Sequence, residues 1–184
     1  MKTTQQSLSA VGKAPWLNVD YYQTPPAVTL AGFISSGAVL TWAVQYTCDP
    51  LGSEAQRPVG ISQTTTVITV TDVGTPQMGN GHGLSVGDYV NIFGTGVAGV
   101  DGEYSVTTVV SATQYTVTSG TSQSVTNSSG SVISARVFTH ATLTGQTVRQ
   151  TGNFAFPVRA CRLQVTAYTS GVATLEIIQG GLSS

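Results

Sequence analysis

Apolar and polar residues alternate with a period of two along much of the chain, which is the pattern of half-buried β-strands. The clearest example spans residues 39–48, where apolar residues occupy every even-numbered position. Further strands are expected at residues 27–34, 160–168 and 172–179, and a turn at residues 169–171 joins the last two as a hairpin. Helical periodicity is absent from nearly all of the chain, so the pattern predicts an all-β protein.

The middle of the chain has shorter and more evenly spaced strand patterns. They are separated by turns rich in Gly, Asn, Ser and Asp, such as GNGHG, GTGVAGVDGE and TNSSGS. The expected strands cover residues 66–72, 88–93, 103–110, 113–118 and 132–138. Short strands at this spacing predict a small β-barrel of the OB-like or SH3-like kind.

The two halves that flank this middle have too few strands to close a sandwich separately, but together they have enough. We therefore expect an N-terminal tail at residues 1–13. Residues 14–62 and 134–184 should form a discontinuous β-sandwich or jelly roll. Residues 63–133 should form the small β-barrel, inserted in one loop of the sandwich, because surface loops tolerate long insertions.

Charge is scarce and unevenly distributed. The 184 residues include seven Lys plus Arg and eight Asp plus Glu, which gives a formal net charge of −1. Residues 63–133 contain four carboxylates and no Lys or Arg, whereas residues 134–184 contain four Arg and one carboxylate. The lack of a basic excess argues against nucleic-acid binding. The sequence has neither a membrane-helix pattern nor a secretory signal, so we expect no membrane partner and synthesis in a cytoplasm.

Few residues could carry catalytic or metal chemistry. His82 lies in a glycine-rich turn and His140 lies in a strand-like stretch, so structural roles are favoured over general-base or metal roles. The carboxylates in residues 101–103 are too few for calcium and suit a turn. Cys48 and Cys161 fall on apolar faces, which predicts two buried free thiols, with a disulfide as the alternative. No catalytic motif occurs, so we expect no enzyme activity, cofactor or metal.

Two groups of residues are candidates for protein contacts. One group consists of arginines near the C-terminal end, of which Arg162 has the strand parity opposite to Cys161 and should point away from the core. The other belongs to the aromatic and proline-rich segment 15–26, which reads either as an arm across a neighbouring subunit or as an arm folded on its own domain. The candidate interface residues are Trp16, Tyr21, Tyr22, Arg149, Arg159 and Arg162.

The flanking halves resemble small head decoration (cement) proteins of tailed bacteriophages. The similar pieces are WLNVDYYQTPPAV from Trp16, LTWAVQYTCDP from Leu40, ATLTGQT from Ala141 and NFAFPVRACRLQVTAYTSGVATLEIIQGG from Asn153. The middle pieces, HGLSVGDYVNIFGTG and DGEYSVTTVVSATQYTVT, look like a β module that recurs in phage tail and fibre proteins.

This resemblance implies a non-enzymatic virion protein on the capsid surface, made in the host cytoplasm. It would bind the major capsid protein shell and stabilise the head, as a homo-oligomer such as a dimer or trimer. The Arg-bearing end and the arm would contact the shell, and the acidic barrel would project outward. The first alternative is a tail, fibre or adaptor component that binds host glycan through Tyr89, Tyr104 and Tyr115. The second alternative is a carbohydrate-active enzyme.

Overall fold

The computed structural model describes residues 2–19, 28–51, 56–73 and 82–180, apart from the side chain of Asn127. These residues form strands and turns, which confirms the all-β prediction. No described segment is a helix that is long and apolar enough to cross a membrane. In chain order the strands are β1 Lys2–Leu8, β2 Gly12–Lys13, β3 Leu17–Asn18, β4 Val28–Ile34, β5 Val39–Thr47, β6 Arg57–Asp72, β7 Tyr89–Phe93, β8 Gly102–Ser111, β9 Gln114–Ala135, β10 Phe138–Thr139, β11 Gln150–Phe154, β12 Ala160–Ser170 and β13 Ala173–Gln179.

The chain divides into two compact units. The outer unit comprises Met1–Cys48 and Phe138–Ser184, and the inserted unit comprises Asp49–Val137. The sequence had placed the boundaries at 62/63 and 133/134, and these positions fall inside β6 and β9, which pair along their lengths. Residues 57–62 therefore belong with the inserted unit. The expected tail at residues 1–13 also differs, because β1 pairs with β13 over seven residues.

The outer unit is a β-sandwich. Sheet A has the strand order β1-β13-β4-β11, and sheet B has the order β10-β5-β12-β2, with β3 also paired to β12. Side chains from both sheets share one core, in which Leu30 and Leu175 of sheet A meet Trp42 and Leu163 of sheet B. The Trp42 ring packs directly against the backbone of β4 at Gly32, where no side chain would fit.

Two tight turns carry the chain from one sheet to the other. The hairpin expected between residues 160–168 and 172–179 is wrong, because β12 pairs with β5 whereas β13 pairs with β1 and β4. The turn after β12 packs on the turn after β4: the Val172 amide donates to Ser35 Oγ at 3.0 Å, and the Ser35 amide donates to the Val172 carbonyl at 3.0 Å. Gly171 (φ 95°) is required there, because a Cβ atom would lie 2.3 Å from the Ala38 Cβ.

Hydrogen bonds join the two sheets along both sides of the sandwich. On one side, Gln6 of β1 accepts from the Leu163 amide of β12 at 2.9 Å and donates to the Pro15 carbonyl. On the other side, the His140 amide donates to the Val44 carbonyl at 2.9 Å, and the His140 ring meets the Asn153 carbonyl of β11 at 3.1 Å. Hydrogen bonds from Gln6 and His140 therefore connect the two sheets in addition to the packing of the core.

The inserted unit is a small curled sheet of four strands, of which β6, β8 and β9 are long and β7 has five residues. The order is β6-β9-β7-β8, and β8 also pairs with β9, so that β7, β8 and β9 form a closed circuit. The circuit surrounds a core that includes Ile68, Val90, Val106, Tyr115 and Val132. The sequence had assigned residues 113–118 and the first residues of 132–138 to separate strands, but both belong to the continuous strand β9.

An ion pair holds the ends of the inserted unit together. Arg136 donates to the Asp49 carboxylate from its backbone amide at 2.7 Å, from Nε at 3.0 Å and from Nη2 at 2.7 Å. The side-chain hydrogen bond to Arg136 is the main reason that the pKa of Asp49 lies below its usual value. In the outer unit, β10 and β5 pair the residues next to the same junctions, with Phe138 opposite Tyr46 and Thr139 opposite Gln45.

Candidate contact surface

The predicted orientation of Arg162 is correct, but the residue is not exposed. It lies on the face of sheet B away from the core and retains only 2% of its accessible surface. Its Nε donates to Gln45 Oε1 at 2.9 Å, and its guanidinium lies 4.0 Å from the centroid of the Trp16 ring. Trp16 covers Arg162 on this face, and the segment around it runs along the edge of β12, anchored by hydrogen bonds from the Ala14 amide to the Leu163 carbonyl and from the Val19 amide to the Arg159 carbonyl.

Trp16 and Arg162 therefore contact each other within one chain. This arrangement matches the alternative in which the first part of the aromatic segment folds on its own domain. Burial, and secondarily repulsion from the Arg162 guanidinium, lowers the pKa of Lys13. Tyr21 and Tyr22 lie outside the described residues.

Arg149 lies on the other sheet of the sandwich. It is exposed, and its guanidinium is 5.0 Å from the centroid of the Phe33 ring on β4. A cation over an aromatic face is attracted by the ring quadrupole, which restricts the otherwise mobile arginine. Arg159 is half-buried at the start of β12, where its amide donates to the Thr47 carbonyl at 2.8 Å. The structure does not bring the three predicted arginines into one patch.

Phe33 belongs to a broad surface that we call the sheet A outer face. It consists of the residues of β1, β13, β4 and β11 that alternate with the core residues, and Ser7 Oγ and Thr174 Oγ1 form a hydrogen bond across it at 2.9 Å. Its members are Thr3, Gln5, Ser7, Thr29, Ala31, Phe33, Thr151, Asn153, Thr174, Glu176 and Ile178, with Arg149 beside them. Of these residues, only Glu176 and Arg149 are charged.

Sequence reasoning missed an aromatic cluster at the edge of sheet B. The Tyr46 and Phe138 rings are stacked with their centroids 5.5 Å apart, and Phe156 lies 5.6 Å from Tyr46. Phe138 and Phe156 each expose 44% of their surface. Partial burial, and secondarily the charge of Cys48, raises the pKa of Tyr46. Only the pairing of β10 with β5 brings Phe138 to Tyr46, so no local pattern could have revealed the cluster.

The cysteines differ in environment. Cys161 is buried, and burial raises the pKa of its thiol to about 12. Cys48 is exposed, which corrects the prediction that both thiols are buried. Strand β5 ends at Thr47, so the alternation that predicted burial of Cys48 stops one residue too early to apply to it. Both cysteines are free, so the alternative of a disulfide is wrong.

The two histidines use one local arrangement, once in each unit. In the inserted unit, the Leu84 amide donates to His82 Nδ1 at 3.0 Å and the other ring nitrogen meets the Ser111 carbonyl at 2.9 Å. In the outer unit, the Thr142 amide donates to His140 Nδ1 at 3.3 Å. Because Nδ1 accepts in both rings, the proton sits on Nε2, which donates to the carbonyl. Both rings are buried and connect two chain segments through hydrogen bonds, although His82 had been expected in a glycine-rich turn.

Two of the three tyrosines of the glycan-binding alternative, Tyr89 and Tyr115, are too buried to stack on a sugar, and Tyr104 is half-buried. Tyr115 is completely buried, and burial raises its pKa well above the usual value. Tyr89 is 6% exposed and donates to Glu103 at 2.9 Å, while Tyr104 donates to the Val100 carbonyl at 2.8 Å.

Asp101, expected in a turn, accepts from the Gly94 and Thr95 amides at 3.1 Å. No group of three metal-ligating side chains occurs among residues that the structure describes.

Comparison with known proteins includes a weak structural likeness. No protein-family model matches this chain, and no curated protein matches it. Among solved structures, the phage phi92 endosialidase resembles 54% of this chain with 22% sequence identity and a TM-score of 0.33. The similar region spans 14% of the endosialidase chain. A likeness of this strength supports no argument about the activity of the present protein.

Proposed function

We propose that the protein is a non-enzymatic structural component of a bacteriophage virion and, more specifically, a decoration protein that binds the major capsid protein shell and stabilises the head. The observation that carries this proposal is the sheet A outer face. It offers one cation held on one aromatic ring, surrounded by small hydroxyl-bearing side chains. The sequence resemblance of the flanking halves to head decoration proteins points in the same direction.

The chemistry of this face suits a protein partner. Interface cores are poor in charged side chains and rich in aromatic residues and Arg, and binding energy concentrates in a few such anchors. Phe33 and Arg149 would be the anchors here. Thr and Ser lose less side-chain entropy than Lys or Glu when a partner covers them. Two other candidate interface residues, Trp16 and Arg162, would then stabilise the fold rather than contact the shell, because they stack on each other.

The proposed assembly is a symmetric homo-oligomer on the capsid surface, formed after synthesis in the host cytoplasm. The inserted unit would take no part in the contact with the shell, since residues 49–137 contain six carboxylates and two Arg, a net charge of −4. No nucleic acid, membrane or cofactor has a role in this proposal.

Binding to phage heads that lack the protein tests the proposal. Purified protein should cosediment with such heads, and Thr29→Glu, which places a charge on the sheet A outer face, should weaken binding at least tenfold. Phe33→Ala should act in the same direction. The matched control is Thr108→Glu, at an exposed position of β8 in the inserted unit, and it should leave binding unchanged. Equal binding by Thr29→Glu and wild type, with both folded, would overturn the proposed contact.

The number of copies per virion separates this function from the tail or fibre alternative. Gel densitometry of purified particles should give hundreds of copies for a decoration protein. A few copies would instead place the protein in the tail.

A further inference from the structure

A groove opens at one end of sheet B, where β5 begins and β12 ends. Its volume is about 240 Å³. Residues from both strands and from the segment before β11 form its walls, including Val39, Leu40, Thr41, Thr147, Tyr168 and Thr169. All of them belong to the outer unit.

Strand β12 is irregular next to this groove. The register against β5 shifts between Val165 and Ala167 and again between Tyr168 and Ser170, so that Thr166 and Thr169 are extra residues. Bulges of this kind redirect side chains and are common beside binding sites. Thr169, the second extra residue, is part of the groove wall. The groove therefore lies where the pairing of β12 with β5 departs from regular geometry.

The lining has a definite chemical character. The residues that line it are aliphatic, aromatic (Tyr168, half-buried against the core) or hydroxyl-bearing (Thr41, Thr147 and Thr169). None of the described residues that line the groove is charged. A fitting ligand is therefore neutral, has an apolar face for the ring and carries several hydroxyl groups, since Thr can both donate and accept.

We propose that this groove binds one neutral pyranose residue of a glycan. A pyranose has an apolar C–H face and a rim of hydroxyls, which match the ring and the threonines. The volume is smaller than the roughly 300–1,000 Å³ of sites for drug-sized molecules, so it suits a single sugar ring. This inference goes beyond the proposed capsid function and uses none of the residues of the sheet A outer face, so either proposal can fail without the other.

Titration of the isotope-labelled full-length protein, followed by protein-observed amide NMR, tests it directly. The probes are the methyl glycosides of glucose, galactose, mannose and N-acetylglucosamine, with methyl glucuronide as a charged comparison. At least one neutral glycoside should bind with a Kd on the order of 1–10 mM, as expected for a ligand of about a dozen heavy atoms. Binding should shift the amide resonances of Thr147, Tyr168 and Thr169, and methyl glucuronide should bind more weakly.

Variants locate the binding. Thr147 is exposed, so Thr147→Trp should fill the groove without disturbing the core and should weaken binding at least tenfold. Thr144→Trp, in the same exposed segment but outside the groove, is the matched control and should bind like wild type. Tyr168→Ala should lose binding and Tyr168→Phe should retain it. The proposal is overturned when no neutral glycoside binds below about 50 mM, or when folded Thr147→Trp binds as well as wild type.

Discussion

Replacing Gly32 with alanine would place a methyl group inside the space of the Trp42 ring. A Cβ atom built on Gly32 lies 1.9 Å from Cη2 of Trp42, 2.3 Å from Cζ2 and 2.6 Å from Cζ3. Ordinary contact begins near 3.4 Å, so ring and strand would have to separate by about 1.5 Å. The ring has little freedom to move, because Trp42 Nε1 donates to the Val148 carbonyl at 3.2 Å and the Trp42 backbone is paired with Gln146.

The cost follows from the packing of the core. Trp42 is 1% exposed at the centre of the sandwich, and adding a methyl group to a densely packed core typically costs 1–3 kcal/mol. Three ring atoms are displaced here, so we expect Gly32→Ala to lose about 3 kcal/mol or more of the free energy of unfolding. That loss corresponds to a decrease in melting temperature of roughly 12 °C or more. Tryptophan fluorescence during urea unfolding measures it, because both tryptophans of the chain, Trp16 and Trp42, lie in the outer unit.

A double-mutant cycle attributes the loss to this contact. Trp42→Phe removes the outer ring atoms, so Gly32→Ala should cost at least 1 kcal/mol less in the Trp42→Phe background than in wild type. Gly120→Ala is the control, because a Cβ atom there meets nothing within 4 Å, and the outer unit should unfold as in wild type. A Gly32→Ala protein within about 0.5 kcal/mol of wild type would refute the packing of the Trp42 ring against the backbone of β4 at Gly32.

Three other predictions concern the inserted unit. Asp49→Asn should destabilise it by at most about 1 kcal/mol at pH 7, since solvent screens the exposed Arg136. Because the folded pKa of Asp49 is lowered, the difference in the free energy of unfolding between wild type and variant, measured by urea unfolding, should vanish as the pH falls from 5 to 2. A difference that does not depend on pH would contradict the ion pair. Tyr115→Phe should be neutral or stabilising by about 1 kcal/mol, because the Tyr115 hydroxyl is buried without a partner among the described residues. Tyr104→Phe should lower the free energy of unfolding by about 1 kcal/mol, because it removes the hydrogen bond to the Val100 carbonyl. Equal effects of the two substitutions in thermal unfolding would argue against both assignments. Replacing residues 49–137 by a short Gly-Ser linker should leave a folded outer unit with dispersed amide NMR signals, and an unfolded product would show that the sandwich depends on its insert.

Local patterns located most strands of the outer unit correctly. The period-two burial of β13 is visible directly in the sequence, because one side of the strand faces the core. The same alternation located β5, although Ala43, Gln45 and Thr47 on its other side are buried as well. The partners of the strands were not visible. A turn containing Gly171 can close a hairpin or carry the chain to the opposite sheet, and only contact with residues 35–38 decides between them.

The inserted unit shows a different limit of sequence reasoning. The segment TNSSGS was assigned to a turn because of its composition, yet it lies inside β9. Ser128 pairs with Ile61 and Gly130 pairs with Val59, so partner strands override the local preference of these residues. Burial of the interface candidate Arg162 was missed for a similar reason, since Trp16, which covers it, comes from the other end of the chain.

The inserted unit leaves and rejoins the rest of the chain through neighbouring residues. Tyr46 pairs with Phe138 on one side of the junction, and Asp49 binds Arg136 on the other. A gene segment that encodes residues 49–137 could therefore be acquired, exchanged or lost in a single recombination event without cutting either hydrophobic core. Natural selection can then vary the inserted unit without affecting the residues that keep the sandwich folded.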